Sequence, residues 1–269
     1  MKIATFNING IKARAETLLD WLREAQPDVV CLQEIKSVDE AFPREPFESL
    51  GYHVATHGMK GFHGVAILSK LALEDVTRRL PPKAEGDEPD EQTRWIEATV
   101  IGRRPVRVCC LYLPNGNPAP GPKYDYKLAW MGRMLARTQA LLASEDPIVL
   151  CGDYNVIAQA EDAAHPQDWL TDALYLPQTR AAYQRLINLG LTDAIRARNP
   201  NPGLYTFWDF QRGAWERNNG IRIDHLLLSP QAADLLVDSG IDKAVRGHED
   251  ATRGIKPSDH VPVWIELDA

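Results

Sequence analysis

A chain of 269 residues, 44% hydrophobic and 25% charged, can bury a large core as one big domain or two fused halves, and its composition excludes disorder. No apolar run approaches a membrane span, and the amino terminus enters a strand pattern without a basic region or cleavage site, so the expected location is cytoplasmic, with no membrane partner. The net charge of −7 does not decide for or against a polyanionic partner: residues 85–91 (E-G-D-E-P-D-E) hold five acids and no base, and without them the chain would carry −2. That stretch reads as a solvated loop.

The first half alternates strand and helix patterns. A strand is expected over 2–7, then a helix-like stretch with Ile11, Leu18, Leu19 and Leu22 closed by Pro27, then a strand over 28–33. Strands follow at 52–56, 64–69, 93–101 and 105–113. A Gly- and Pro-rich surface loop from Asn115 to Pro122 leads into helical periodicity from Tyr124 to Leu142, and a second strand set opens at 148–151. Residues 158–178 are irregular, helical spacing resumes from Arg180 to Leu189, and further strands are expected at 204–208, 221–228 and 261–267. No linker divides the halves, so residues 1–269 read as a single α/β (α+β) domain of two mixed sheets packed face to face with helices outside. The four cysteines, Cys31, Cys109, Cys110 and Cys151, lie inside apolar runs and form no C-x-x-C, which predicts buried, reduced thiols.

Polar residues stand at the ends of the apolar runs: Asn7, Glu34, Asp153 with Asn155, Asp224, and Asp259 with His260. A sheet could bring these ends to one rim, where the clustered carboxylates would need a divalent cation or a protonated partner, a setting for metal-assisted phosphoryl chemistry. Each has a plainer reading taken alone. Asp153 and Asn155 could cap a turn after Gly152, Glu34 could be a solvated strand end, and Tyr112 could be a packing residue with a wet hydroxyl. Ser258-Asp259-His260 is no hydrolase triad, because adjacent strand residues alternate faces and no G-x-S-x-G is present. His260 is better suited as a phosphate-facing donor whose charged form needs a carboxylate such as Asp224. Phe207, Trp208, Ile221 and Ile223 are either core or a small dry pocket able to hold a sugar without a base. Gly58 to Gly61 reads equally as a nucleic-acid loop or a hairpin turn, and Lys60, Arg212, Arg217, Arg222 and Lys256 are candidate phosphate contacts or solvated charges.

Taken together, T-F-N-I-N-G at 5–10, L-Q-E-I-K at 32–36, G-V-A-I-L-S-K at 64–70, Y-L-P-N-G at 112–116, G-D-Y-N at 152–155, R-I-D-H-L-L-L-S at 222–229 and S-D-H-V-P-V at 258–263 resemble the exonuclease III family of apurinic/apyrimidinic endonucleases, in order and over nearly the whole chain. The resemblance implies a four-layer α/β sandwich of the endonuclease/exonuclease/phosphatase superfamily. It implies a monomeric enzyme of base excision repair acting on double-stranded DNA, cutting 5′ to abasic sites and trimming 3′ ends as a 3′ to 5′ exonuclease, with Mg²⁺ and Mn²⁺ as a substitute. It further implies a metal set drawn from Asn7, Glu34, Asp153, Asn155, Asp259 and His260, with Glu34 as the main Mg²⁺ ligand. Asp153 would activate or position the water, Asn155 and Tyr112 would hold the phosphate, His260 would stabilise developing charge, and Asp224 would orient His260. By the same match Phe207, Trp208, Ile221 and Ile223 would line the pocket for a flipped abasic sugar, with Asn115, Lys60 and Arg222 contacting substrate. Ile221 stands where some members have an aromatic residue, as in the bacterial branch, implying a pocket looser towards ordinary 3′ ends. Asn9 replaces an acid found in part of the family, which puts a second metal site built there in question.

Overall fold

The structure is a computed structural model that describes residues 1–81 and 90–269. In chain order the elements are β1 (Lys2–Asn7), α1 (Ile11–Ala25), β2 (Val29–Gln33), α2 (Glu45–Glu48), β3 (His53–His57), β4 (Val65–Ser69), β5 (Ala72–Arg78), β6 (Trp95–Ile101) and β7 (Val106–Tyr112). They continue with α3 (Pro122–Leu142), β8 (Ile148–Asp153), α4 (Pro177–Ile187), β9 (Thr192–Asp193), α5 (Ala194–Arg198), β10 (Asp224–Leu228), α6 (Pro230–Ala233), β11 (Leu236–Ile241), α7 (Ala244–Gly247) and β12 (Val263–Leu267).

Two six-stranded mixed sheets result, one in the order β11-β12-β1-β2-β4-β3 and the other β5-β6-β7-β8-β10-β9. Each has one parallel pair near its middle, β1 with β2 and β7 with β8. Strand residues of both sheets, among them Ile3, Cys31, Ile67, Val108, Cys110, Cys151 and Leu226, fill the layer between them. The outer faces are covered by helices, because α1 presents Ile11, Leu18, Leu19 and Leu22 to one sheet and α3 presents Trp130, Met131 and Met134 to the other. Alternation along β7 explains why neighbouring thiols part company: Cys110 joins the inter-sheet layer and Cys109 the helix layer. All four cysteines are free and buried.

The structure departs from the sequence reading at several elements. The expected strand at 204–208 is reduced to isolated bridges of Phe207 with Ile221 and His260, and the strand expected from 221 begins at Asp224. Strands β5, β9 and β11 were not anticipated. Of these β5 is largely exposed, so it carries no apolar run to announce it. The acidic stretch falls mostly outside the described residues. Within it, Asp90 is no solvated loop residue: it is 8% exposed, pairs with Arg133 at 2.6 Å and accepts from the Tyr126 hydroxyl. Gly58 to Gly61 belongs to the connection between the antiparallel strands β3 and β4.

Candidate active site

Strand register builds the rim. Asp153, the last residue of β8, lies opposite Tyr112 on β7 and opposite Asp224 on β10, so three candidate groups share one line across the second sheet. The first sheet brings Asn7 from the end of β1, Glu34 just beyond β2, and His260 just ahead of β12. A continuous polar chain then joins the sheets. Tyr112 donates its hydroxyl to Glu34 Oε1 at 2.8 Å, and Asn7 Nδ2 bridges Glu34 Oε1 and Asp153 Oδ2 at 3.0 Å each. His260 Nε2 stands 3.8 Å from Asp153 Oδ2, while its Nδ1 donates to Asp224 Oδ2 at 2.8 Å. Thr206 Oγ1 donates to that same Asp224 oxygen at 2.6 Å and accepts from the Ile223 and Asp224 amides, which aims its proton at the carboxylate.

The backbone bends to make this possible. Glu34 and Asn155 hold φ values of 50° and 47°, a left-handed conformation that non-glycine residues adopt at a cost of order 1–3 kcal/mol each. Gly152, at φ 155°, is the one residue type that fits beside β7, since a Cβ there would stand 1.9 Å from Leu111 O. That close approach is what sets Asp153 against Tyr112.

Burial pushes the Asp153 carboxyl up, opposed by the positive charge of His260 and reinforced by Asp224. Burial would lower the His260 pKa, but Asp224, by charge and hydrogen bond, and Asp153 outweigh it and hold the ring up at about 10. Tyr112 is raised well above its ordinary range by burial and by Glu34, so it is a neutral phenol that donates. The rim thus offers a proton acceptor facing an imidazolium. Asp153, Asp224 and His260 bring donor atoms within 4.8 Å of one another, but the Nδ1 of His260 is engaged with Asp224 while its Nε2, 3.8 Å from Asp153 Oδ2, has no hydrogen-bond partner among the described residues, which leaves that nitrogen open to face a substrate oxygen.

A hard cation fits better at Glu34, which is 18% exposed and turned to the mouth. Its Oε2 already holds a cation, the Lys36 ammonium at 3.0 Å, and Lys36 also donates to Asn9 Oδ1 at 2.5 Å. Glu34 and Asn9 thus surround that charge with oxygen of the kind Mg²⁺ takes, and Asp259 Oδ1, which accepts from Asn9 Nδ2 at 3.0 Å, stands one hydrogen bond beyond them. Asn7, expected among the ligands, turns its amide nitrogen to the carboxylates, and its Oδ1 accepts from the Asn9 amide. It acts here as a bridge. Asn155 also has its oxygen engaged, accepting from Asn115 Nδ2 at 3.1 Å, while its Nδ2 donates to Leu113 O.

Phe207 and Ile221 line a cavity of about 400 Å³ together with Trp169, Asp172, Arg212 and Arg217. Ile223 packs behind that wall with Ile157 and Leu174. Two expectations are corrected. Trp208 is fully buried on the other side, against Ala214 and Val261, because its neighbour Phe207 takes the cavity face. Arg222 is 1% exposed and reaches no substrate: its guanidinium is spent on Asp162 at 2.7 Å and Asp193 at 2.8 Å. Lys60, Asn115, Arg212, Arg217 and Lys256 are exposed. His225, beside Asp224, is a core residue bonded to Val156 O and packed on Tyr154 and Tyr183.

Three contributors escaped sequence reasoning. Thr206 carried no signal, and neither did Arg94, which lies over the Tyr112 ring at 4.7 Å and donates to Tyr112 O. Lys127 did carry one: it sits on the apolar stripe of α3 between Tyr124 and Trp130, three residues from each, where a lysine is out of place. Its Nζ donates to the carbonyls of Asn115, Asn155 and Ala173.

Residues 4–260 match the Endonuclease/Exonuclease/phosphatase family. The chain is 38% identical over 281 residues to exodeoxyribonuclease III of Haemophilus influenzae, covering 99% of this chain and 100% of that protein. Among solved structures it is similar to an AP endonuclease from Archaeoglobus fulgidus, at 36% identity, full coverage of both chains and a TM-score of 0.91. It is equally similar to the Neisseria protein NExo, solved as a 3′-5′ exonuclease and as a 3′ phosphatase bound to product DNA hairpin, at 34% identity, full coverage and a TM-score of 0.92.

Proposed function

Because the chain belongs to the endonuclease/exonuclease/phosphatase family, we propose that it is a DNA repair nuclease of exonuclease III type, hydrolysing the phosphodiester 5′ to abasic sites and trimming 3′ ends. The observation that carries this reading is the His260–Asp224 pair set against Asp153 on the same rim as Glu34 and Tyr112. Hydrolysis needs a proton acceptor for water and donors for the charge that grows on phosphorus-bound oxygens, and the rim supplies both at adjoining positions. Asp153 takes the water proton. The imidazolium of His260, kept charged by Asp224, faces the phosphoryl oxygens together with the Asn155 amide and the Tyr112 hydroxyl. Mg²⁺, with Mn²⁺ as a substitute, would be held by Glu34 with Asp259, and would supply charge neutralisation of the phosphate.

The names of the relatives support DNA as substrate and 3′ ends as one of its forms. We take the whole chain as one catalytic domain that works as a monomer on double-stranded DNA in the cytoplasm. No helix of the described residues is long and apolar enough to cross a membrane. The testing experiment is cleavage of a synthetic duplex with one abasic site, with Mg²⁺ and with EDTA. A single cut 5′ to the lesion, lost with EDTA, is expected; an intact duplex in Mg²⁺ refutes the reading.

A further inference from the structure

Lys127 is fully buried in the middle of α3, and its hydrogen bonds go to backbone carbonyls alone: Asn155 O at 2.6 Å, Asn115 O at 3.0 Å and Ala173 O at 3.2 Å. Three acceptors match the three protons of an ammonium group, one more than a neutral amine could serve. Buried ammonium groups are usually paired with a carboxylate, because an unpaired charge is costly to desolvate. Burial lowers the Lys127 pKa to about 7 against the pull of Asp153 and Asp172, neither of which is hydrogen-bonded to it, and it is the three carbonyl acceptors that favour the charged form. A gap in the core could be filled at less cost by a methionine.

The three carbonyls belong to separate segments. Asn115 lies on the loop after β7, Asn155 just past β8, and Ala173 ahead of α4, next to the cavity-lining Asp172. The first two carry amides that touch each other, Asn115 Nδ2 donating to Asn155 Oδ1 at 3.1 Å. The loop is built to admit the lysine stem: Gly116 has φ 91°, and a Cβ on it would stand 2.7 Å from Lys127 Cδ and 3.2 Å from Ala173 Cβ.

We propose that Lys127 is a positioning residue for catalysis, its ammonium fastening the backbones of Asn115 and Asn155 to each other and to Ala173 ahead of α4 so that their side-chain amides meet the scissile phosphate. This rests on the nuclease reading of the rim. Positioning of this kind favours the transition state more than the ground state, since the amides strengthen their bonds as charge grows on the phosphate. Its loss therefore falls on kcat and largely spares KM.

The test compares wild type, Lys127→Met, Gly116→Ala and Leu186→Ala on a synthetic abasic duplex in Mg²⁺, with thermal melting of each. Leu186 is a buried apolar residue of α4 that holds none of the three carbonyls, so its truncation should lower Tm and leave kcat unchanged. Lys127→Met should lower kcat about 100-fold, the scale of a misplacement near 1 Å, with KM within about threefold of wild type. Gly116→Ala keeps the ammonium and crowds its stem, and should lower kcat about tenfold with the same split. If Lys127→Met does not fold, Gly116→Ala decides. A folded Lys127→Met, or failing that Gly116→Ala, with kcat within threefold of wild type would overturn the role of Lys127 and leave the nuclease reading standing. A wild-type protein that cuts no abasic duplex would overturn both.

Discussion

Replacing Asp224 with Asn removes one charge and nearly preserves the shape of the group that holds His260. In the wild type, burial opposes the charged ring, yet Asp224 and Asp153 lift its pKa from 6.5 to about 10. A rise of that size corresponds to about 5 kcal/mol in favour of the imidazolium, at roughly 1.4 kcal/mol per pK unit. In the variant Asp153, 3.8 Å from Nε2 and itself reluctant to ionise, and the smaller pull of Asp259 remain, while burial still favours the neutral ring. The ring should then titrate near or below its ordinary value. At pH 8 a histidine of ordinary pKa is charged in about 3% of molecules, so kcat/KM should fall about 30-fold at that pH, and the gap should narrow towards pH 6. The assay is the pH dependence of kcat/KM on an abasic duplex between pH 6 and 9 at saturating Mg²⁺. Stability gives a second readout. The folded pKa lies above the unfolded one, so the pair's contribution is complete below about 6.5 and is lost as pH rises through about 10, and the Tm difference between wild type and variant should shrink over that window. A variant whose kcat/KM stays in constant ratio to wild type from pH 6 to 9 refutes the imidazolium role.

Four other outcomes are expected. Asp153→Asn should abolish cleavage with duplex binding near wild type by gel shift; retention of more than about a tenth of kcat, a loss under roughly 1.4 kcal/mol, removes Asp153 from the role of base. Glu34→Gln should raise the Mg²⁺ concentration giving half activity, and an unchanged titration curve would show that Glu34 is no ligand. Arg222→Ala should behave as a folding mutation, destabilising by about 3–5 kcal/mol because Asp193 loses its guanidinium and Asp162 keeps only Arg196, with the salt dependence of DNA binding unchanged. A near-neutral effect on Tm would contradict that pairing. Ile221→Trp should narrow the cavity beside Phe207 and shift the ratio of abasic cutting to 3′ nucleotide removal by about 1–3 kcal/mol, and a ratio constant within twofold would place Ile221 in the core alone.

Among the strands that sequence reasoning located, β1, β2, β4, β7, β8 and β10 are buried almost throughout, where an apolar run is unavoidable, while β3 and β12 were legible although they expose part of their length. Strand β5 alternates only weakly and lies mostly in water, and β9 has two residues, so neither leaves a pattern to read. The site was legible for a related reason: Asn7, Glu34 and Asp153 each stand at the end of a largely apolar run. Arg222 misled because its motif neighbours are functional, whereas its partners, Asp162 and Asp193, come from segments whose proximity no local pattern reveals. Thr206 was hidden likewise, its role depending on a contact with Asp224 across 18 residues of irregular chain.

The position of β12 has a consequence for the order in which the molecule can be assembled. It is the last strand in sequence, yet it lies inside its sheet, between β11 and β1, with Lys2 paired to Glu266. Closing a contact between the two ends of the chain is among the slower steps a fold can require. His260 stands at the entrance to that strand. A growing chain can therefore already present Glu34, Asp153 and Asp224 while lacking the imidazolium opposite them, and the capacity to cut DNA arrives only when the final strand is seated. Fragments ending before residue 260 should be inert however well they fold, which makes turnover itself a clock for the last step of folding.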